Sequence, residues 1–422
     1  MIKKNVKKTK ILAIISILLI VNSIHVLQYL IEQKGDIIPE TKKTQNITSA
    51  YYNTSAAPIY IDGGAYGVGA HNWTWAKDQP WCSGSGIWGD PFIISNLTIN
   101  GMNSDSCIKI VDSTVFFQIK NCTLFNSSSG SFPSYKAGIE LYRVENGFIK
   151  NCTIYDNNGY GISLWNCDNN TMTNNKIIND DIWFQSSEYN SIVNNTFLDT
   201  SDAVWVESGS HHNKIAENEF NNAGDAIYIS TDNNKILNNT FENCEGVLLG
   251  VDADNNTVFN NTVDNCECGI SFQSGNYNEI KYNTIMNASA ECYIIRLFEG
   301  SKFNNVSYNI ILNNSADGIL VRNSNNNTLF NNTIKFNSKY GINLDASNFT
   351  TVLNNILIKN VEGCIREYDC FGSMINNNIC VELPSGGNGG EELIFGYNLF
   401  LFLGIISIIS LILIMRVKKN PN

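Results

Sequence analysis

The chain has 422 residues, 43% of them hydrophobic, with 28 basic against 39 acidic side chains and a formal net charge of −11. Five lysines precede residue 11 and three basic residues follow 415, so the chain between carries about −19. That balance excludes a phosphate-neutralising face, and with it a nucleic-acid partner.

Residues 1–31 are the first predicted element. An apolar run, Ile11 to Ile31, follows Lys3, Lys4, Lys7, Lys8 and Lys10, and it is long enough to span a bilayer. A secretory signal peptide has the same layout, but no convincing small-residue cleavage site stands near Gln28 to Gly35. An uncleaved anchor is the expectation, and a signal peptide is the alternative. Residues 32–57 read as a polar linker. At the far end a flexible Gly-rich stalk, 384–393, leads into a second apolar run, 394–415, and a basic tail, 416–422. The positive-inside rule puts both termini in the cytoplasm and everything between them on the extracellular side of the cell membrane. The twelve cysteines suit that compartment, and none forms a CxxC pair of the zinc or redox type.

Residues 58–383 form one domain. Its first part, 58–95, sets Trp73, Trp75, Trp81 and Trp88 among glycines and reads as a cap. A solenoid needs one, because a bare first coil exposes apolar interior and unpaired strand edges. Beyond Ile93 a unit of about 23 residues recurs, clearest in Gly318 to Gly341. Its apolar positions alternate with period two over runs of three to five residues, so its elements are short strands separated by polar turns. Coil starts run from Ile108 to Ile365, with Val247 and Tyr293 among them, for roughly twelve coils. The second residue of each NNT-like tetrad is expected to point inward at a bend and to bond its equivalents on neighbouring coils. Asn195, Asn239, Asn261, Asn283, Asn332 and Asn355 belong to this ladder, which is expected to end at Asn377. Cys122 and Cys152 occupy the same column, either as apolar substitutes or as a stacked disulfide. Register also brings Cys244 to Cys266 and Cys268 to Cys292. Cys82 with Cys107, and two of Cys364, Cys370 and Cys380, would tie the ends. Two coils carry insertions, at Phe125 to Tyr135 and Leu297 to Asn304.

The NNT(I/F) tetrads and G-I-x-L restarts of Ile162–Ala203, Ile227–Gly269 and Ile319–Cys364 resemble the repeats of the NosD-like group in the pectate-lyase-like superfamily. The opening GSGIWGDPFIISNLTING and the C-terminal stalk with its apolar run are similar to archaeal cell-surface β-helix proteins. The resemblance implies an all-β fold, a single-stranded right-handed parallel β-helix. It implies no one function, because this fold carries lyases, hydrolases, epimerases and non-enzymes.

Asp180, Asp202 and Asp225 each stand two residues before a coil start. They would form a column about 5 Å apart, a spacing open to glycoside chemistry or to a weak Ca²⁺ site. Asp before a small residue at a strand-entry turn is the simpler account, and no Gly-His-Gly or Arg-x-Lys accompanies the column as in polygalacturonases. Arg296, Arg322 and Arg366 face outward, and Arg322 is expected to pair with Asp345 across coils. The NosD-like resemblance would suggest copper. The four histidines do not converge, however, and only His211-His212 lie in the repeat, so no cofactor is expected. The outward positions of the first strand include Tyr142, Trp165, Trp183, Trp205 and Tyr228 on consecutive coils, with Gln185 and Glu207 beside them. Such a stripe suits stacking of sugar rings, or a hydrophobic floor beneath the Phe125 to Tyr135 insertion. About eighteen Asn-x-Ser/Thr sequons, among them Asn46, Asn53, Asn72, Asn96, Asn126, Asn287 and Asn348, predict a partly occupied glycoprotein. The expectation is a membrane-anchored, glycosylated, non-catalytic surface protein with a polysaccharide or cell-envelope partner. A carbohydrate-active lyase or hydrolase, and then a metal-handling protein, are the alternatives.

Overall fold

The computed structural model describes residues 58–130, 135–289 and 292–383. Both terminal apolar runs, the linker and the stalk lie outside the described residues. Among the described residues no helix is long and apolar enough to cross a membrane.

Short strands pass in rotation through three sheets. The first sheet has thirteen strands, from Ile59–Asp62 to Gly363–Tyr368. The second has fourteen, of which the antiparallel Cys82–Ser83 is the first and Met374–Asn376 the last. The third has thirteen, from Thr98–Asn100 to Ile379–Val381. Apart from Cys82–Ser83, neighbours in each sheet lie one coil apart in the chain and pair in parallel, which makes a β-solenoid. The region read as a cap contributes strands to the solenoid itself, because Ile59–Asp62 pairs with Ile108–Val111. A short helix, Trp73–Lys77, closes this end. Trp73 stacks on Phe92 at 4.8 Å and donates its indole N–H to Ser113 Oγ at 2.8 Å.

The NNT tetrad explains how so short a strand can turn. Its first Asn takes the left-handed conformation, as Asn174, Asn194, Asn238 and Asn260 do with φ of 53–59°. Asn tolerates that bend better than other residues with a Cβ. The second Asn points inward, the Thr faces out, and the last residue enters the core, as Phe197 does in a stack with Phe220 at 4.7 Å.

The predicted ladder is continuous. Asn195, Asn239, Asn261, Asn283, Asn332 and Asn355 are all buried, and each Oδ1 accepts from the Asn of the preceding coil. Its last member is Asn378, not Asn377, because Asn377 takes the left-handed corner (φ 55°) and leaves the inward place to its neighbour. Two coil starts also shift. Ile227 pairs with Leu248, not Val247, and Ile270 pairs with Ile295, not Tyr293. The first shift follows from Gly246 aligning with Asp225, and the second from extra residues before Cys292. A second buried ladder, Asn170 to Asn327, runs along the corner between the first and second sheets, and a shorter one joins Asn314, Asn337 and Asn360.

Cys268 is bonded to Cys292, and Cys364 to Cys380. Cys244 and Cys266 stack as thiols on adjacent coils, where the Cys244 N–H reaches Cys266 Sγ at 3.3 Å. Cys122 and Cys152 are also thiols. Cys82 and Cys107 do not meet. Cys82 lies against Ile94 of the second sheet, whereas Cys107 turns to the Phe125 carbonyl of the third. Cys268 and Cys292 are separated by 24 residues, so replacing both with Ser should lower stability by about 3 kcal/mol in the chain-entropy account. Thermal melts read this directly, and an unshifted Tm would be the contrary result.

Candidate saccharide-contact site

The outward positions of the first sheet form two columns, not one stripe. Trp183, Trp205 and Tyr228 are in register, continuing Ser163 and Glu140. Tyr142, Trp165, Gln185 and Glu207 form the second column, two residues further along each strand. Alternation places both sets outward, and the aromatic residues cross from one column to the other after Trp165. The Trp183 indole N–H spans the columns to Glu207 Oε2 at 2.9 Å.

Trp183 is buried, at 2% exposure. Tyr160 stacks on it at 5.1 Å, and Tyr135, from the inserted segment, meets it edge-on at 4.9 Å. This ring is therefore a floor beneath Tyr135 and Tyr160. The other four rings remain partly open, with Tyr142 to Trp165 at 5.1 Å and Trp205 to Tyr228 at 5.2 Å. Between the insertion and the first pair is a cleft of about 160 Å³, lined by Lys109, Tyr135, Glu140, Tyr142, Ser163 and Trp165 among others. Glu140 is buried there, held by Lys109 Nζ at 2.6 Å and by the Ser106 hydroxyl. The cleft thus has an aromatic wall and a charge-paired polar floor. Nothing in the sequence pattern marked Lys109 as the partner of Glu140. Their role depends on where the insertion ends.

The carboxylates expected in one column are separated. Asp202 and Asp225 are in register, but Asp180 turns inward and takes the place of a ladder residue, accepting from Asn157 Nδ2 at 2.8 Å and Asn157 N–H at 3.1 Å. The coil of Asp202 carries two more residues between its ladder Asn and its strand, which breaks the shared register. Burial pushes the Asp180 carboxyl up to about 8, against the opposing Asn157 bonds, and burial likewise raises Asp181 to about 7. Asp202 is raised by burial and then by the charge of Asp225, and Asp225 by burial and then by Glu245. Arg322 reaches Asp345 at 3.0 Å across coils.

The three described histidines, His71, His211 and His212, do not converge. His71 stacks on Trp75, His212 stacks on Tyr189, and His211 Nδ1 accepts the Asp232 N–H at 3.2 Å. Among the described residues, one trio could offer ligands to a metal, Cys364, Cys380 and Glu382, and its two sulfurs are bonded to each other.

Of the seven sequons named above, Asn46 and Asn53 lie outside the described residues. Asn72 caps the short helix through Trp75 N–H. Asn96 holds an exposed left-handed corner and accepts from Asn121. Asn126 donates to Asn100 and Asn287 to Asp264. Asn348 accepts the Phe371 N–H, while Thr350 of its sequon is buried.

A family model described as a right-handed β-helix region matches residues 81–215, 182–321 and 298–389. No curated protein matches. Solved structures similar to the chain include a double mutant of a periplasmic alginate epimerase, AlgG, at 14% identity and TM-score 0.49 over 77% of this chain and 84% of that one. An alginate lyase, AlyF-OU02, is 11% identical with TM-score 0.43 over 81% and 89% of the two chains. PfbA, a surface adhesin of Streptococcus pneumoniae, is 14% identical with TM-score 0.37 over 67% and 88%. Likeness at this level speaks to fold alone.

Proposed function

The chain belongs to the right-handed β-helix family, and from that premise we propose that it is a membrane-anchored, glycosylated, non-catalytic surface protein that holds a saccharide against its first sheet. The cleft beside Trp165 carries this reading. Its volume of about 160 Å³ suits roughly one sugar ring, its wall is aromatic, and Lys109, Glu140 and Ser163 offer polar groups to hydroxyls. Lys109 and Glu140 neutralise each other, which favours an uncharged sugar, and the acidic chain repels polyanions. Asp180, spent on the interior ladder, does not flank a bond at the surface.

Glycan-array binding of the full chain in detergent tests this. Trp165→Ala should weaken binding about tenfold, the order of one lost aromatic contact. Trp183→Ala should instead act on the seating of the insertion, with a lower Tm. Unchanged affinity for Trp165→Ala would sink the reading. A second reading, sugar cleavage, is favoured only by the in-register Asp202–Asp225 pair with its raised carboxyls. Turnover of a bound glycan that is lost in Asp202→Asn would select it.

A further inference from the structure

Each coil needs a left-handed residue at the corner between the first and second sheets, and Asn is the default there, as at Asn233 (φ 61°). Tyr189, Tyr277, Phe303 and Phe349 break that rule with φ of 55–59°. A bulky residue in this region is an outlier, and these rings are not buried, at 56, 55, 48 and 53% exposure. Burial gives them no reason to stand there.

The neighbours on the preceding coil supply one. Tyr189 follows Asn169, Tyr277 follows Asn255, and Phe349 follows Asn326, each pair in register one coil apart. All three asparagines begin sequons, Asn169-Asn170-Thr171, Asn255-Asn256-Thr257 and Asn326-Asn327-Thr328. Asn233, whose sequence is Asn-Asn-Lys, is followed by Asn255 instead of a ring. The rings are also backed on their far sides. Tyr189 stacks on His212 at 5.0 Å, Tyr277 on Phe303 at 5.1 Å, and Phe349 meets Phe371 edge-on at 5.7 Å. The other side of each ring is turned toward the coil that carries the sequon.

The three asparagines have a second feature, which among the described sequons only Asn151 shares, and Asn151 is followed one coil on by Asn174 instead of a ring. They are exposed, and their side-chain amides make no hydrogen bond to any described residue. The amide nitrogens of Asn194, Asn260, Asn126 and Asn287 are already spent on neighbouring side chains. Spacing agrees. Asn238 and Asn260 lie one coil apart, about 5 Å, which crowds two glycans, whereas Asn169, Asn255 and Asn326 are separated by about 19 and 14 Å.

We propose that Asn169, Asn255 and Asn326 are the principal N-glycosylation sites, and that the first sugar of each packs on the ring one coil beyond. In the transfer step, the Asn Nδ2 attacks the anomeric carbon of a lipid-phosphate-linked oligosaccharide. The N–C bond forms, the C–O bond to phosphate breaks, the lipid phosphate leaves, and the amide proton passes to a base of the transferase. A sugar so attached stands beside the next coil at about 4.8 Å, the stacking range of a pyranose on an aromatic face. The inference rests on the extracellular, glycosylated part of the reading above and is independent of the saccharide cleft.

Glycopeptide mass spectrometry of the full chain from its native membrane tests it. Occupancy at Asn169, Asn255 and Asn326 should exceed that at Asn194, Asn260 and Asn287 several-fold. Melting of Asn255→Gln, Tyr277→Ala and the double variant tests the packing. The two single changes should each lower Tm, and the double should add little to either. Additive shifts would overturn the packing. Glycans confined to other sequons would overturn the site assignment while leaving the glycoprotein reading intact, and a chain without glycan would overturn both.

Discussion

Asp180→Asn should stabilise the protein above neutral pH and flatten its dependence on pH. The folded carboxyl is raised by burial to about 8, whereas an unfolded Asp titrates near 4. Its contribution is full below the unfolded value and is lost as pH rises toward the folded one. Within that window each pH unit removes about 1.4 kcal/mol per raised carboxyl. Asp181, raised to about 7 by burial, acts in the same direction, so the variant should keep roughly half the slope up to that point. Asn at 180 would retain the acceptor for Asn157 and gain a donor. By the 26-residue offset that joins Asn360 Nδ2 to the Ile334 carbonyl, its partner would be the Ile154 carbonyl. Melting temperatures of the two proteins from pH 5 to 9 decide the matter. Parallel profiles would mean that Asp180 is ionised in the folded state.

The second large effect concerns the tetrad itself. Asn332 and Asn331 are adjacent and identical in sequence terms, yet their substitutions should differ several-fold. Asn332 Oδ1 accepts from Asn309 N–H at 3.0 Å and from Asn309 Nδ2 at 3.0 Å, while its own Nδ2 donates to the Val306 carbonyl at 2.8 Å. Asn332→Ala strands the Asn309 backbone N–H in the core, because Asn309 Nδ2 keeps its bond to the Ile280 carbonyl and the Val306 carbonyl keeps its partner in the sheet. One buried unsatisfied group costs about 1–3 kcal/mol, and the lost amide bonds to the Val306 carbonyl and Asn355 Oδ1 add about 1 kcal/mol each. Asn331, at φ 56°, loses only its tolerance of the left-handed corner on changing to Ala, about 1 kcal/mol. Denaturant titration of the two variants should rank them in this order. Equal losses would mean that the ladder bonds contribute nothing net.

Much of the fold was legible because a solenoid converts sequence period directly into spatial neighbourhood. Asn195, Asn218 and Asn239 recur at coil length, so their stacking follows from counting. The second ladder was equally countable, and its signal was the second Asn of Asn169-Asn170-Thr171 and its equivalents. Its spacing equals that of the first ladder, but the residues flanking its members vary, as in Tyr189-Asn190-Ser191 and His212-Asn213-Lys214, which hid the column. Counting failed wherever coils differ in length. Asp180 looked equivalent to Asp202 by its distance to the next strand but equivalent to a ladder residue by its distance from the last Asn. The interior chose the second, since Asn157 offered two donors there.

The sequence by itself determined the short-strand solenoid, its corner and core asparagines, the acidic balance and the outward aromatic residues. Each of these depends on residues close in the chain or one period apart. Only the tertiary structure decided which aromatic residues remain open and which carboxylates turn inward. It also paired Lys109 with Glu140, and it set Tyr189, Tyr277 and Phe349 each one coil beyond an exposed sequon. Those outcomes depend on coil length, on the path of the insertion ending at Tyr135, and on contacts across coils of unequal size. A local pattern of apolar and polar residues carries none of that information.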